Sequence, residues 1–172
     1  MTLITVRTFQ PDDLATLHDI NQASTPGVSS ESPGSLLNRI NLSTALVAVD
    51  GHDRPVGFMT LIEPGTMAYG SENLRWFEAY CDRTGRSLIY VDRIAIAPER
   101  RGEAIGEQLY KAAFEAFADR HEVGCEINTN PPNPGSARFH ERLGFRQVGE
   151  GTYGTKATEV AYYVRDLAPA AR

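Results

Sequence analysis

The stretch from Tyr90 to Phe117, YVDRIAIAPERRGEAIGEQLYKAAFEAF, constrains the fold of this 172-residue chain more than any other. Tyr90 to Ile96 is aromatic and β-branched, which suits a buried pleated surface, and Pro98 has no N–H to continue a ladder. From Ile105 the apolar residues Leu109, Ala112, Ala113, Ala116 and Phe117 share one helical face, with Glu103, Glu107, Lys111 and Glu115 off it. The pattern predicts a strand, a loop and an amphipathic helix. The loop, Arg100-Arg101-Gly102-Glu103-Ala104-Ile105-Gly106, sets cations and glycines where the helix begins. Unpaired amides and the positive end of the helix dipole attract anions, and glycine permits close backbone approach, so the loop suits a pyrophosphate. It is neither a P-loop, which needs G-x-x-x-x-G-K-[ST], nor a dinucleotide fingerprint, which needs G-x-G-x-x-G early in a βαβ unit.

Composition narrows the setting. With 41% hydrophobic and 23% charged residues the chain suits one soluble domain. A net charge of −5 argues against nucleic acid or an anionic membrane as a partner. No run approaches the roughly 18 apolar residues of a membrane span, and MTLITVRTF lacks a basic segment followed by an apolar core. The expected location is cytoplasmic. Cys81 and Cys125 form no CxxC pair and the histidines are scattered, so free thiols and no metal site are expected.

In chain order, Ile4–Phe9 alternates as a half-buried strand, and Pro11-Asp12-Asp13 opens a helix through about Asn21 with Leu14, Leu17 and Ile20 on one side. Residues 22–35 read as loop, followed by a short helical patch at Leu36–Ile40. Thr44–Asp50 and Pro55–Ile62 form a hairpin, with Gly57 marking a bulge or close packing. Within the long connection Pro64–Arg86, the residues Leu74, Trp76, Phe77 and Tyr80 have helical spacing and serve as core or as pocket wall. Val123–Asn128 is a strand, Ser136–Leu143 a helix closed by Gly144, and Gln147–Gly149 and Thr158–Val164 the last strands around a turn at Gly149–Lys156. An exposed final strand at Thr158–Val164 would offer a homodimer edge. The domain spans 1–166, and a tail from 167 to 172 is expected to be poorly ordered.

Two motifs in this order resemble the signatures of the GCN5-related N-acetyltransferases. Arg101-x-x-Ala104-x-Gly106 is similar to their Arg-x-x-Gly-x-Gly loop, with alanine for one glycine. A Cβ resists positive φ, so Ala104 sits at negative φ or carries about 1 kcal/mol of strain. Asn133 to Leu143-Gly144-Phe145 resembles N-x-x-A-x-x-x-Y-x-x-x-G-F, with His140 in place of the tyrosine proposed to protonate the departing thiolate. The resemblance implies an α/β (α+β) fold: a mixed, mostly antiparallel sheet of about seven strands, splayed at the fourth and fifth and flanked by about four helices. It further implies an acyltransferase using acetyl-CoA as cosubstrate, with Ile94, Ala95, Ile96, Arg100, Arg101, Gly102, Glu103, Ala104, Ile105, Gly106 and Asn133 as its binding set. The amides of Ile94 and Ile96 would pair with the pantetheine arm.

The implied reaction moves an acetyl group from a thioester to a primary amine by direct attack in a ternary complex. An alkylamine is neutral only about one time in two thousand at pH 7, so a base is needed. Glu126 leads, because in some amino-terminal acetyltransferases of this family a glutamate on the corresponding strand is the proposed base. Asp92 stands second and His140 is the candidate acid. The acceptor is a small amine or a peptide amino terminus, and Glu31, Glu72 and Glu78 hint that it is cationic. The alternative is a catalytically silent coenzyme-A-binding sensor or partner module of the same fold, which the departures at Ala104 and His140 keep open.

Overall fold

The structure is a computed structural model that describes residues 3–167. Among them are seven strands and five α-helices. In chain order these are β1 (Thr5–Thr8), α1 (Leu14–Ala23), α2 (Pro33–Asn41), β2 (Thr44–Val49), β3 (Pro55–Ile62), α3 (Glu72–Thr84), β4 (Leu88–Ile96), α4 (Ile105–Ala116), β5 (Glu122–Asn130), α5 (Pro134–Arg142), β6 (Arg146–Tyr153) and β7 (Thr158–Asp166). The sheet runs in the order β1-β2-β3-β4-β5-β7-β6. The β1–β2, β2–β3, β5–β7 and β6–β7 pairs are antiparallel, and β4–β5 is parallel. That parallel register, Leu88↔Glu122, Ile89↔Val123 and Tyr90↔Gly124, covers the first three residues of each strand.

The chain divides into two compact units, one of residues up to Ile62 with Val91–Ala116, the other of Glu63–Tyr90 with the residues from Phe117 onward. In the first, Leu17 and Ile20 of α1, Leu36 and Ile40 of α2, Val47, Phe58 and Ala95 form one apolar cluster. Helix α4 packs against the β1–β3 ladder, and Gly57 makes that approach possible. A Cβ at Gly57 would lie 2.9 Å from Ile96 Cδ1 and 3.2 Å from Ile105 Cγ2. Close packing and a register shift in the β2–β3 ladder, between Ala48 and Val49, thus coincide at this glycine. Helix α2 begins earlier than the sequence suggests, because Ser32 caps it, accepting from the Ser35 amide at 3.1 Å, and Pro33 takes the first turn.

In the second unit, α3 lays its aromatic side against the sheet. Trp76 stacks on Tyr162 with ring centroids 3.9 Å apart, and Phe77 meets Trp76 and Tyr162 edge-on. The contact is possible because the sheet lacks side chains beneath the rings. A Cβ at Gly149 would stand 2.4 Å from Trp76 Cζ2, and one at Gly124 would stand 2.6 Å from Phe77 Cε1. This packing corrects the reading of Gly149–Lys156 as a turn: β6 runs on to Tyr153, and its glycines serve the rings rather than a bend. The turn is confined to 154–157. The last strand is also not an edge, since β7 lies between β5 and β6 and its N–H and C=O groups are used on both sides. Any strand-pairing dimer at this end would have to use β6. Of the expected tail, Leu167 donates its amide to the His121 carbonyl at 2.8 Å, and 168–172 lie outside the described residues. Among the described residues no helix is long and apolar enough to cross a membrane.

Gly149→Ala is expected to cost about 1–3 kcal/mol by overpacking against Trp76. The urea midpoint should fall and the emission of Trp76, the only tryptophan, should change. An unchanged midpoint would show that the ring does not sit on this glycine.

Candidate active site

The residues singled out by sequence fall into two sets, one in each unit. In the first unit the chain leaves β4 through Ala97, whose N–H donates to the Val56 carbonyl at 2.9 Å. Alternation along a strand then turns the N–H groups of Ile96 and Ile94 to the edge away from β3. A short 3-10 turn at Pro98–Arg100 leads into the loop before α4. There Gly102 has φ +84° and Ala104 has φ +58°. Ala104 therefore takes a left-handed conformation despite its Cβ, at a cost of about 1–2 kcal/mol. Its carbonyl accepts the first bond of α4, from the Gln108 amide at 3.2 Å. The loop keeps its shape despite the methyl group.

The two loop cations separate. Arg100 grips Glu103 through two hydrogen bonds of 2.8 Å and lies 3.9 Å from Asp50, so its charge is spent within the loop. The bond to Arg100 holds the Glu103 carboxyl below its ordinary range. Arg101 is exposed and, among the described residues, has no ion pair, which leaves it available to an anion.

Asp92 belongs to a buried ionic cluster in the same unit. Its Oδ2 lies 3.3 Å from Arg93 Nε, 3.4 Å from the Thr60 hydroxyl and 3.9 Å from Arg39. Arg93 also donates to Asn21 at 2.7 Å, Ser29 at 3.1 Å and Glu31 at 3.3 Å. Arg39 reaches Glu31 at 2.7 Å. Burial would raise the Glu31 carboxyl, but hydrogen bonds from Ser35 and Ser29 and the charges of Arg39 and Arg93 outweigh it and hold the group low. These carboxylates neutralise buried cations, a weaker basis for proton abstraction than an open site. The three acidic residues that hint at a cationic acceptor also have partners within the fold. Glu31 holds arginines, Glu78 grips Arg75 at 2.7 and 2.9 Å, and Glu72 accepts from the Gly154 amide.

In the second unit Glu126 is half-buried on β5 and accepts a hydrogen bond from the Tyr90 hydroxyl at 2.8 Å. Across the ladder it pairs with Tyr162, whose hydroxyl donates to Asn73 at 2.9 Å. Burial first, and the charge of Glu126 second, push the Tyr162 phenol up to about 12, so it stays neutral. Tyr90 was not among the residues the sequence suggested. It reads as one more strand aromatic, and its only signal is a hydroxyl that needs a partner when buried.

Asn133 caps α5, accepting from the Ser136 amide at 3.2 Å, and borders a shallow groove of about 150 Å³ with Asn128, Ala137, Ala161 and Tyr163. His140 lies inside, 4% exposed, with Nδ1 2.8 Å from the Ser136 carbonyl and its ring edge-on to Phe139 and Phe145. Burial pushes its pKa below the ordinary value, and the bond to Ser136 only partly opposes this. The lowered pKa favours the neutral imidazole at neutral pH, and the structure shows this position in packing contacts with Phe139 and Phe145. Cys81 and Cys125 form no disulfide.

The model of the acetyltransferase (GNAT) family matches residues 14–145, and the chain belongs to that family. It is similar to the phosphinothricin N-acetyltransferase of Streptomyces coelicolor, 39% identical over 80 residues that cover 43% of this chain and 46% of that one. It thus spans about half the length of that relative, and a third of the N-acetyltransferase of Streptomyces griseus, 34% of which is matched. Among solved structures, Ard1 from Thermoplasma volcanium superposes with a TM-score of 0.73 at 17% identity, covering 96% of this chain and 99% of that one. A phosphinothricin acetyltransferase from Sinorhizobium meliloti, solved with acetyl-CoA, gives 0.69 at 19% identity over 96% of this chain and 89% of that one. At these identities the likeness is one of fold.

The lowered pKa of His140 has a testable sign. Above about pH 6.5 folded and unfolded states both hold it neutral. As pH falls through that value the unfolded chain takes up a proton that the folded chain refuses, so stability is lost. Urea midpoints at pH 7.5 and 5.5 should fall more for the wild type than for His140→Leu. A parallel fall in both would contradict the buried neutral histidine.

Proposed function

We propose that this protein is an N-acetyltransferase that uses acetyl-CoA to acetylate a primary amine, by direct attack in a ternary complex. The observation that carries the reading is the loop before α4: left-handed at Gly102 and Ala104, with Arg101 exposed and without an ion pair among the described residues. Such a loop turns backbone amides and one cation toward an anion, as a pyrophosphate needs. Arg101, Gly102, Ala104, Ile105 and Gly106 would hold it, and Arg100 and Glu103 would brace the loop from within. The N–H groups of Ile94 and Ile96, on the edge of β4 away from β3, would pair with the pantetheine arm, and Asn133 would border it.

Acetyl-CoA supplies an activated thioester, and the chain supplies the rest. Glu126 takes the proton of the attacking amine, directly or through a water. An N–H of the β4 edge polarises the reacting carbonyl, a contribution of about 3–4 kcal/mol where such donors are preorganised. Asp92 and His140 are assigned to structure. The silent-module alternative draws on the departures at Ala104 and His140; the left-handed backbone at Ala104 supports the enzyme reading at the first of them.

Purified protein with acetyl-CoA should release thiol in the presence of one of three acceptors: phosphinothricin, spermidine or a peptide with an amino-terminal alanine, the kinds named for similar proteins. Glu126→Gln should lower kcat/KM about 10²-fold for that acceptor while leaving the KM for acetyl-CoA near its wild-type value. Turnover of Glu126→Gln within threefold of wild type would remove Glu126 as base. No release with any acceptor would favour the silent module.

A further inference from the structure

Glu126 does not stand alone. Tyr90, 1% exposed, is the last β4 residue in the parallel register and faces Gly124. A residue two further along β5 lies on the same face, which brings Glu126 beside the tyrosine. The phenol donates to Glu126 Oε2 at 2.8 Å. The ring is held from the α3 side by Phe77, 5.5 Å away between centroids, and Phe77 has its place only because Gly124 carries no Cβ. A helix, a glycine and a strand thus hold one hydroxyl against one carboxylate.

We propose that Tyr90 is a positioning residue for Glu126, whose hydroxyl fixes the carboxylate's orientation and favours its ionised form so that it can accept the amine proton. The inference rests on the reading of Glu126 as base and adds the group that prepares it. A hydrogen bond donated to a carboxylate stabilises the charged form, and a buried donor keeps that effect from being lost to water. The other groups bearing on this corner are Tyr162 of β7, bonded to Asn73 of α3, with Glu72 at the start of α3 and Tyr153 at the end of β6. None of these named groups is a cation, and from β4 the phenol donates its hydrogen bond to the carboxylate.

The test uses the full chain labelled with carboxyl-13C glutamate, in which the Glu126 signal is the one missing from Glu126→Gln. In Tyr90→Phe, which keeps the ring against Phe77, the Glu126 titration midpoint should move up by about one pH unit. The acidic limb of kcat/KM should move with it, using whichever of the three acceptors turns over. In a protein carrying 3-fluorotyrosine at position 90, a stronger donor of the same shape, the midpoint should move down. A purely structural tyrosine would shift neither. A midpoint unmoved in both variants overturns the proposal. A midpoint that moves while Glu126→Gln keeps full turnover confirms the pairing and rejects the base, which separates the failure of this inference from the failure of the reading beneath it.

Discussion

The fit of aromatic rings over missing side chains is what the second unit depends on. Trp76 and Phe77 press against β5 and β6 at distances that a single methyl group would close, because Gly149 and Gly124 leave room for them. Ring stacking and apolar burial supply the stabilisation, and the glycines supply the shape. From that fit follow the long β6, the orientation of Tyr162 and the wall that holds Tyr90. Glu126 meets its hydroxyl partner because α3 cannot sit elsewhere.

In the first unit the corresponding constraint is electrostatic. Most cations near the loop and β4 are paired: Arg93 and Arg39 with Glu31 and Asp92, Arg100 with Glu103. Leaving a buried charge unpaired is costly, so the pairs of Arg93 with Glu31 and Asp92 are held by desolvation as much as by attraction. The arrangement leaves Arg101 beside two left-handed residues at the start of a helix. Such an arrangement suits an anion.

Much of this was legible in the sequence. The strand, loop and helix from Tyr90 to Phe117 follow from periodicity and from Pro98, because those signals are local. The family follows from motif spacing. The longer β6 was hidden because glycine reads as a turn former, and only the tertiary partner Trp76 shows why Gly149 belongs in a strand. Helix α2 was hidden by Ser-Pro-Gly-Ser, a composition that reads as loop although Ser32 and Pro33 are a cap and a first turn. Among the candidate site residues, Glu126 is reachable by its place on the strand. Tyr90 was not, since the hydrogen bond joins residues 36 apart in sequence. Asp92 and His140 look chemical by residue type; the structure sets the one against arginines and the other against phenylalanines, contacts that no local pattern announces. Ala104 looks like a departure from the signature, yet its backbone is left-handed, a conformation that glycine adopts readily.

The central claim is that the loop from Arg100 to Gly106 binds the pyrophosphate of acetyl-CoA. Calorimetric titration of the full chain with acetyl-CoA, at low and moderate salt and with Arg101→Ala beside the wild type, tests it most directly. The account predicts micromolar binding that weakens as salt rises and falls roughly tenfold or more in Arg101→Ala. Equal affinity in the two proteins, or no heat of binding at millimolar ligand, would contradict it.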